Sequence, residues 1–553
     1  MRAAFALAAF FAAAFASAEI DKAKVYVAAN AREPASVALA RFYCGARGIP
    51  PENIVLLDIP ENSGTVSRSV YFEKIEEPLF AALMKNGAVS ASDMGFADSL
   101  GRRGLLLSRV NADFLVLCKG IPWGISDQPP LSKKINGLKT DEASVDSEIS
   151  ARFLPQKTFR GPVRNPAFGA AGGSWRAFGL VRTARLDGPT FADAENLVNS
   201  GLAAEKRGLR GRVYIDKSKR SKLGDGWLDA AAEILQKRGF EVSVDERPAM
   251  FGFGGRFDAP ALYFGWYGTH PTGHFNLKNF SCADGMIGWH IYSFSARTLA
   301  RPDYWTPMFA AKNAAATDGN VFEPYLSMTR NIAVFVKLVF EEGLLPAEAS
   351  FASLPALGWQ NVYLADPLYN PLKKPLSEQI ADAEAGRVDS LSQYAIIRRA
   401  NEIAASGGTE RAVEYLSKFA GSLPDDTALR WRIIELSSGA EKIELAKKLF
   451  AKKIHKNAQY VGLSFELARL LSGAGFPDMA LSHAEEVFKM PGSSLELRRH
   501  AAARAAAEAK LCGKTPSAGV LAELEKIELE KRQKEEARRR ALEAKKTPPQ
   551  KNK

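Results

Sequence analysis

From residue 24 onward, short apolar runs alternate with longer amphipathic stretches. The runs are "KVYVAAN", "NIVLLDIP", "DFLVLCKGIP", "FGLVRTARLDG", "GRVYID", "EVSVDE" and "ALYFGWYG". Near-continuous apolar character over so few residues predicts strands buried on both faces. Between them, "EPASVALARFYCGARG", "YFEKIEEPLFAALMKNG" and "GWLDAAAEILQKRGF" predict helices, with Gly48 ending the first. "GMIGWHIYSFSARTL", residues 285–299, predicts a central strand, and "NVYLAD" a late one. Alternating strands and helices predict an α/β fold: a mostly parallel sheet with helices on both faces.

The alternation breaks twice. About residues 125–175 the chain is rich in Pro, Gly, Lys and Ser, with one helical piece around "ASVDSEISARFL". This predicts a long excursion over one edge of the sheet. From about 385 to 512 strand signals vanish. "ERAVEYLSKFAGSLPDD", "IELAKKLFAKKIHKNA" and "PDMALSHAEEVFKMPGS" place Ala412, Ala446 and Ala480 at intervals of 34 residues. That is the period of tetratricopeptide repeats, where small residues let paired helices pack closely. Pro424 and Pro491 fall where a second helix should stop. A generic helical bundle is the plainer alternative. The expected organisation is a leader (1–18), an α/β domain (19–373), a linker (374–388), an all-α tetratricopeptide-like repeat domain (389–512) and a charged helical or disordered tail (513–553).

The leader "MRAAFALAAFFAAAFASAEI" joins Arg2, an apolar run and small residues, the pattern of a signal peptide cut after Ala18. No later segment has the length and apolarity of a membrane span, so the expected location is periplasmic or extracellular. The net charge of +12 is partly a tail of mixed sign. Export argues against a nucleic-acid partner. The four cysteines, Cys44, Cys118, Cys282 and Cys512, form no CxxC and no zinc spacing.

Ligands of parallel sheets bind beyond the carboxyl ends of the strands. Read that way, the strands deliver Asn30, Asp58, Lys119, Arg182, Asp216, Trp266 and Asp366 as cleft or binding candidates. The candidate catalytic groups are Ser293, Ser295, Tyr267 and Cys282. Ser293 and Ser295 share a face if the strand runs on through them. His290, three residues before Ser293, then faces away and reads as a packed histidine with satisfied nitrogens. "GTHPTGHFNLKNFSCADG" holds His270, His274 and Cys282. A Cys–His pair or a metal site is conceivable there, and an ordinary loop equally accounts for it. H-E-x-x-H, the phosphate-binding P-loop, a dinucleotide fingerprint and the G-x-S-x-G elbow are absent. The cofactor, if any, is left unknown by these patterns.

"YFGWYGTHPTGHF", "GMIGWHIYSFSARTL", "AAATDGNVFEPYL", "ASFASLPALGWQNVYLADPLYNP", "FLVLCKGIP" and "ASVDSEIS" together resemble an uncharacterised family of exported bacterial proteins over residues 24–373. More distantly, the domain is similar to the gingipain and caspase group of cysteine peptidases. That group has a Gly-His-Gly turn after one strand, a cysteine ending the next, and an Asp-Pro motif closing the domain. The resemblance sets Tyr267 at the histidine position, Ser293 at or near the cysteine, and Asp366–Pro367 in the closing motif. It therefore implies a peptidase-like domain with both catalytic residues replaced. The expected function is an exported, envelope-associated binding or assembly protein whose helical repeats contact an envelope protein or peptide. The alternative is a hydrolase, most plausibly a peptidase, with Ser293 or Cys282 as nucleophile.

Overall fold

A computed structural model describes residues 20–60, 64–98, 100–127, 137–154, 160–170 and 173–546. The leader, and residues 547–553 of the tail, lie outside the described residues. The centre is a ten-stranded sheet. Its strands are β1 (Val25–Asn30), β2 (Ile54–Leu57), β3 (Phe114–Cys118), β4 (Thr183–Leu186), β5 (Arg212–Asp216), β6 (Val242–Asp245), β7 (Pro260–Trp266), β8 (Met286–Ile291), β9 (Ala314–Asn320) and β10 (Asn361–Ala365). Their spatial order is β6-β5-β7-β8-β9-β10-β4-β3-β1-β2.

All neighbours are parallel except one pair. β9 runs antiparallel to β10, with Asn320 opposite Asn361 and Ala316 opposite Ala365. That junction divides the sheet into two internally parallel halves of opposite direction. β5 to β9 end at one rim. β1 to β4 and β10 end at the other.

Both faces are covered, as near-continuous apolar strands require. On β1, Val25, Val27 and Ala29 join one core while Tyr26 and Ala28 join another. The first core packs against helices Pro34–Arg47, Phe191–Arg207, Lys222–Lys237 and Ile332–Phe340. Helix Pro34–Arg47 is stopped by Gly48, whose left-handed φ of 67° lets its N–H return to the Cys44 carbonyl. Helix Phe191–Arg207 starts with a capping box between Thr190 and Asp193.

Much of the described excursion is built into the core, although Lys139, Arg164 and Phe168 are exposed. Ile125, Ala143, Val145, Ile149 and Leu154 are buried against β1 and β3. Beneath them Arg185, wholly buried, donates to Asp146 at 2.7 Å and faces Asp187 at 3.3 Å. Buried charge is tolerated when paired in this way. The stretch expected as a linker contains a helix, Leu376–Glu384, that buries Ile380 and Ala383.

The C-terminal region is all helical. Three helical hairpins follow one another: Ser392–Gly407 with Thr409–Ser417, Thr427–Leu436 with Gly439–Phe450, and Val461–Gly473 with Pro477–Phe488. Ala412, Ala446 and Ala480 each sit buried in the second helix of a hairpin. Helices Leu495–Leu511 and Ala518–Lys546 complete the described residues. These helices are docked on the α/β domain. Val461, Phe465, Val487 and Leu497 share a core with Tyr214, Tyr263 and Met286 of the sheet. Polar ties reinforce the seam: Tyr394 donates to Asp258 at 2.6 Å, and the Gly273 N–H to Glu496 at 2.9 Å.

Candidate functional site

The division of the sheet separates the predicted site residues. Asn30, Asp58, Lys119 and Asp366 follow strands that end at one rim; Asp216, Trp266, Tyr267 and Ser293 lie at the other. Arg182 precedes β4, so it stands at the second of these rims and is not carried out of a strand end. The residues expected to line a single cleft are therefore divided between two rims, a strand length apart.

At the first rim the candidates are structural. Asn30 is buried, donating to the Ile59 and Gly120 carbonyls at 3.2 Å each and accepting from the Arg32 N–H. Asp58 is exposed and paired with Arg32. The Lys119 ammonium donates to the Gly188 carbonyl at 2.7 Å and pairs with Asp187 at 3.3 Å. Asp366 is buried and accepts from Tyr43 at 2.8 Å, from the Leu368 N–H at 2.9 Å, and from Arg47. Burial raises its carboxyl while Arg47 opposes the shift. Arg47 also grips Glu205 with two bonds of 2.8 and 2.9 Å. Arg182, at the other rim, is equally committed: it pairs with Glu348 at 3.1 Å between the rings of Phe114 and Trp175.

Cys282 also belongs to the first rim, because it precedes the start of β8. Its thiol is buried and burial pushes it up to about 12. A thiol held protonated is a poor nucleophile. The nearby His274 is buried too, where its Nε2 accepts from the Gly462 N–H at 3.1 Å. The loop that sequence reading offered as a Cys–His pair is thus a docking surface for the helical region. Among the described residues, no group of three or more His, Cys, Asp or Glu is placed to hold a metal ion.

At the second rim, adjacent parallel strands β7 and β8 deliver Tyr267 and Tyr292. Their rings are 4.9 Å apart, and the Arg220 guanidinium lies 5.1 Å over Tyr267. Thr269 donates to the Tyr292 hydroxyl at 3.0 Å. Trp266 is buried and donates to Asp225 at 2.9 Å. Ser293 is half-buried here, and its hydroxyl makes no hydrogen bond among the described residues. The expectation that Ser293 and Ser295 share a face fails. β8 stops at Ile291, and Phe294 takes a left-handed φ of 67°. The chain turns, Ser295 is buried, and its Oγ accepts the Asn320 N–H at 3.1 Å. It fastens the end of β9 and is closed to substrate.

Beneath this rim lies an array that sequence reasoning missed. Asp216, Gly265 and His290 stand side by side across β5, β7 and β8. Tyr263, one pleat back on the same face, reaches between them. Its hydroxyl is 3.0 Å from Asp216 Oδ2 and 3.0 Å from His290 Nδ1. Gly265 leaves the room for this: a Cβ there would stand 2.8 Å from each of the three side chains. The imidazole stacks at 4.0 Å on Trp305, which covers it.

Burial drives His290 down to about 3, so it is neutral. Burial lifts Asp216 to about 7 against bonds from the Phe251 N–H and Tyr263. With Asp216 ionised, Tyr263 donates to the carboxylate and His290 Nδ1–H donates to Tyr263. The Nε2 lone pair is then left buried without a partner, contrary to the expectation of satisfied nitrogens. No hydrogen bond joins this imidazole to Ser293. A serine nucleophile needs a base within hydrogen-bond reach, and among the described residues Ser293 is bonded to none.

Compared with known proteins, the chain matches no family model, no curated protein and no solved structure.

Proposed function

We propose that the protein is an exported, envelope-associated binding or assembly protein. Its α/β domain resembles a caspase- or gingipain-like peptidase with the catalytic pair replaced, and its tetratricopeptide-like hairpins contact another protein. The observation that carries this reading is the second rim. Tyr267 and Ser293 follow adjacent parallel strands, as the resemblance requires of a catalytic pair, and among the described residues neither is bonded to a base. In place of a dyad stands a pair of tyrosine rings under an arginine, a surface for holding a peptide or glycan by stacking. The signal-peptide pattern and the 34-residue period support export and protein contact.

The test is exposure of the purified mature protein to a diverse peptide library, with cleavage followed by mass spectrometry across pH. Ser293→Ala and Cys282→Ala variants run beside it. No cleavage is the expected result. Cleavage that disappears in Ser293→Ala or in Cys282→Ala overturns the reading and establishes a peptidase.

A further inference from the structure

Among the described residues, β6 is the last strand of the sheet and pairs with β5 alone. The Val213 N–H donates to the Glu241 carbonyl, and the Lys217 N–H to the Asp245 carbonyl. Along a parallel strand, bonding alternates from residue to residue. Glu241, Ser243 and Asp245 therefore face β5, while the backbone groups of Val242 and Val244 face outward. Val244 is 39% exposed. An open edge of this kind is a template for another strand.

A cleft of about 1340 Å³ opens at this edge, between Glu241–Ser243 and helices Ser392–Gly407 and Thr427–Leu436. It exceeds the size of an ordinary small-molecule pocket. Its charges are unevenly matched. Each acidic side chain has a partner: Glu241 pairs with Arg212 at 3.3 Å, Glu402 with Arg399 at 2.8 Å, and Glu435 with Arg432 at 3.0 Å. Glu466 accepts the Arg256 N–H at 2.9 Å. Lys237 is held by Glu233. Arg238 and Arg398 have no carboxylate partner among the described residues. Arg398 is nevertheless positioned: its Nε donates to the Arg238 carbonyl at 2.7 Å, and its guanidinium lies 3.9 Å from the Phe240 ring centroid. Two guanidinium groups without an ion-pair contact among the described residues, one of them clamped, stand at the start of an open strand; burial lowers Arg398 to about 10, with Glu402 opposing the shift and Arg238 adding to it.

We propose that this cleft receives one end of an extended acidic peptide, which sets its carboxylates on Arg238 and Arg398 and adds as a strand to β6, from Val242 in the cleft to Val244 on the open edge beyond it. Strand addition supplies main-chain bonds, and side-chain contacts then select the sequence. Arginine suits the second role because its planar fork matches a carboxylate. The inference deepens the binding reading by naming a ligand class. It uses a cleft remote in structure from Ser293, so the library assay for cleavage and the assay below fail independently.

The experiment measures fluorescence anisotropy of the full mature chain with a labelled peptide of four Val-Glu repeats. A second probe carries N-methyl groups on alternate amides, which removes hydrogen bonding along one edge. Inorganic phosphate and a heparin fragment serve as competitors. The unmodified peptide is expected to bind, with affinity lowered about ten-fold or more by N-methylation and by the Arg238→Ala/Arg398→Ala pair. Val244→Pro removes one outward N–H at an edge position that tolerates proline, and is expected to weaken binding without changing the unfolding transition. Absence of binding overturns the proposal. So does equal binding of the methylated peptide, or full affinity in the double variant. Displacement by heparin or phosphate at equal charge concentration overturns it in favour of a plain anion site.

Discussion

The two rims of the sheet look alike in the sequence and are built in opposite ways. At one, Asn30, Lys119 and Asp366 are spent holding turns and helices together, and Asp366 is locked to Tyr43 and Arg47 in the interior. At the other, Tyr267, Tyr292 and Ser293 keep part of their surface open, and the buried polar groups beneath them are joined to one another. A polar residue at a strand end is thus no indication of a site. What separates the two cases is whether its hydrogen-bonding capacity has been used up by the fold.

If that account of the first rim is right, its removal should be felt in stability. Asp366→Ala strips a buried carboxylate from Arg47 and Tyr43 and leaves Glu205 as the counter-charge to Arg47 among the described residues. Breaking a buried pair from one side costs about 3–5 kcal/mol. Equilibrium urea unfolding should show a loss of that size. A loss below about 1 kcal/mol, the range of exposed pairs, would erase the contrast between the rims.

The second rim should respond to pH. Asp216 is raised from 3.8 to about 7 by burial. Its contribution to stability is therefore complete below about pH 4 and is lost as pH rises through 7. His290 is lowered from 6.5 to about 3. Its contribution is present above pH 6.5 and is lost as pH falls toward 3. Between pH 4 and 7 the two act in opposite directions, so the variant isolates one of them. Asp216→Asn should abolish a decline of about 2–4 kcal/mol that the native chain shows over that range beyond its other titrations. Parallel stability curves for the two proteins would show that Asp216 ionises freely.

The sequence patterns found most of the strands, because a strand buried on both faces announces itself as an apolar run, as in "FLVLC" and "ALYFGW". β9 reads Ala-Ala-Ala-Thr-Asp-Gly-Asn and has little of that signal; it is a strand because β8 and β10 bracket it. The antiparallel pairing of β9 with β10 is settled by long-range packing. No local pattern records it, and the expectation of a single row of strand ends failed for that reason. The helical hairpins were legible through their period. That they are docked on the sheet was not, since the bonds that tie them there join residues far apart in sequence: the Gly462 N–H meets His274 across 188 residues and the Gly273 N–H meets Glu496 across 223. The Asp216–Tyr263–His290 array had one trace in the sequence: a glycine at 265 inside an otherwise bulky strand, a mark of something approaching closely.

That glycine offers the finest test of the second rim. Gly265 is absent from the positive-φ positions, so alanine meets no backbone penalty there and any cost is steric. Its methyl would stand 2.8 Å from the Asp216 Cβ, from His290 Nδ1 and from the Tyr263 hydroxyl. All three are buried, Asp216 and His290 are each bonded to the Tyr263 hydroxyl, and Trp305 stacks on the imidazole. Overpacking of this kind costs about 1–3 kcal/mol. Gly45, in helix Pro34–Arg47, has nothing within 4 Å of a built Cβ. Gly45→Ala should be neutral or stabilising by up to about 1 kcal/mol. Urea unfolding of both variants sets the array against a position with room. Should Gly265→Ala cost no more than Gly45→Ala, the three side chains have somewhere to move. The rim above them would then rest on a loose floor, and Ser293 could come within reach of the imidazole.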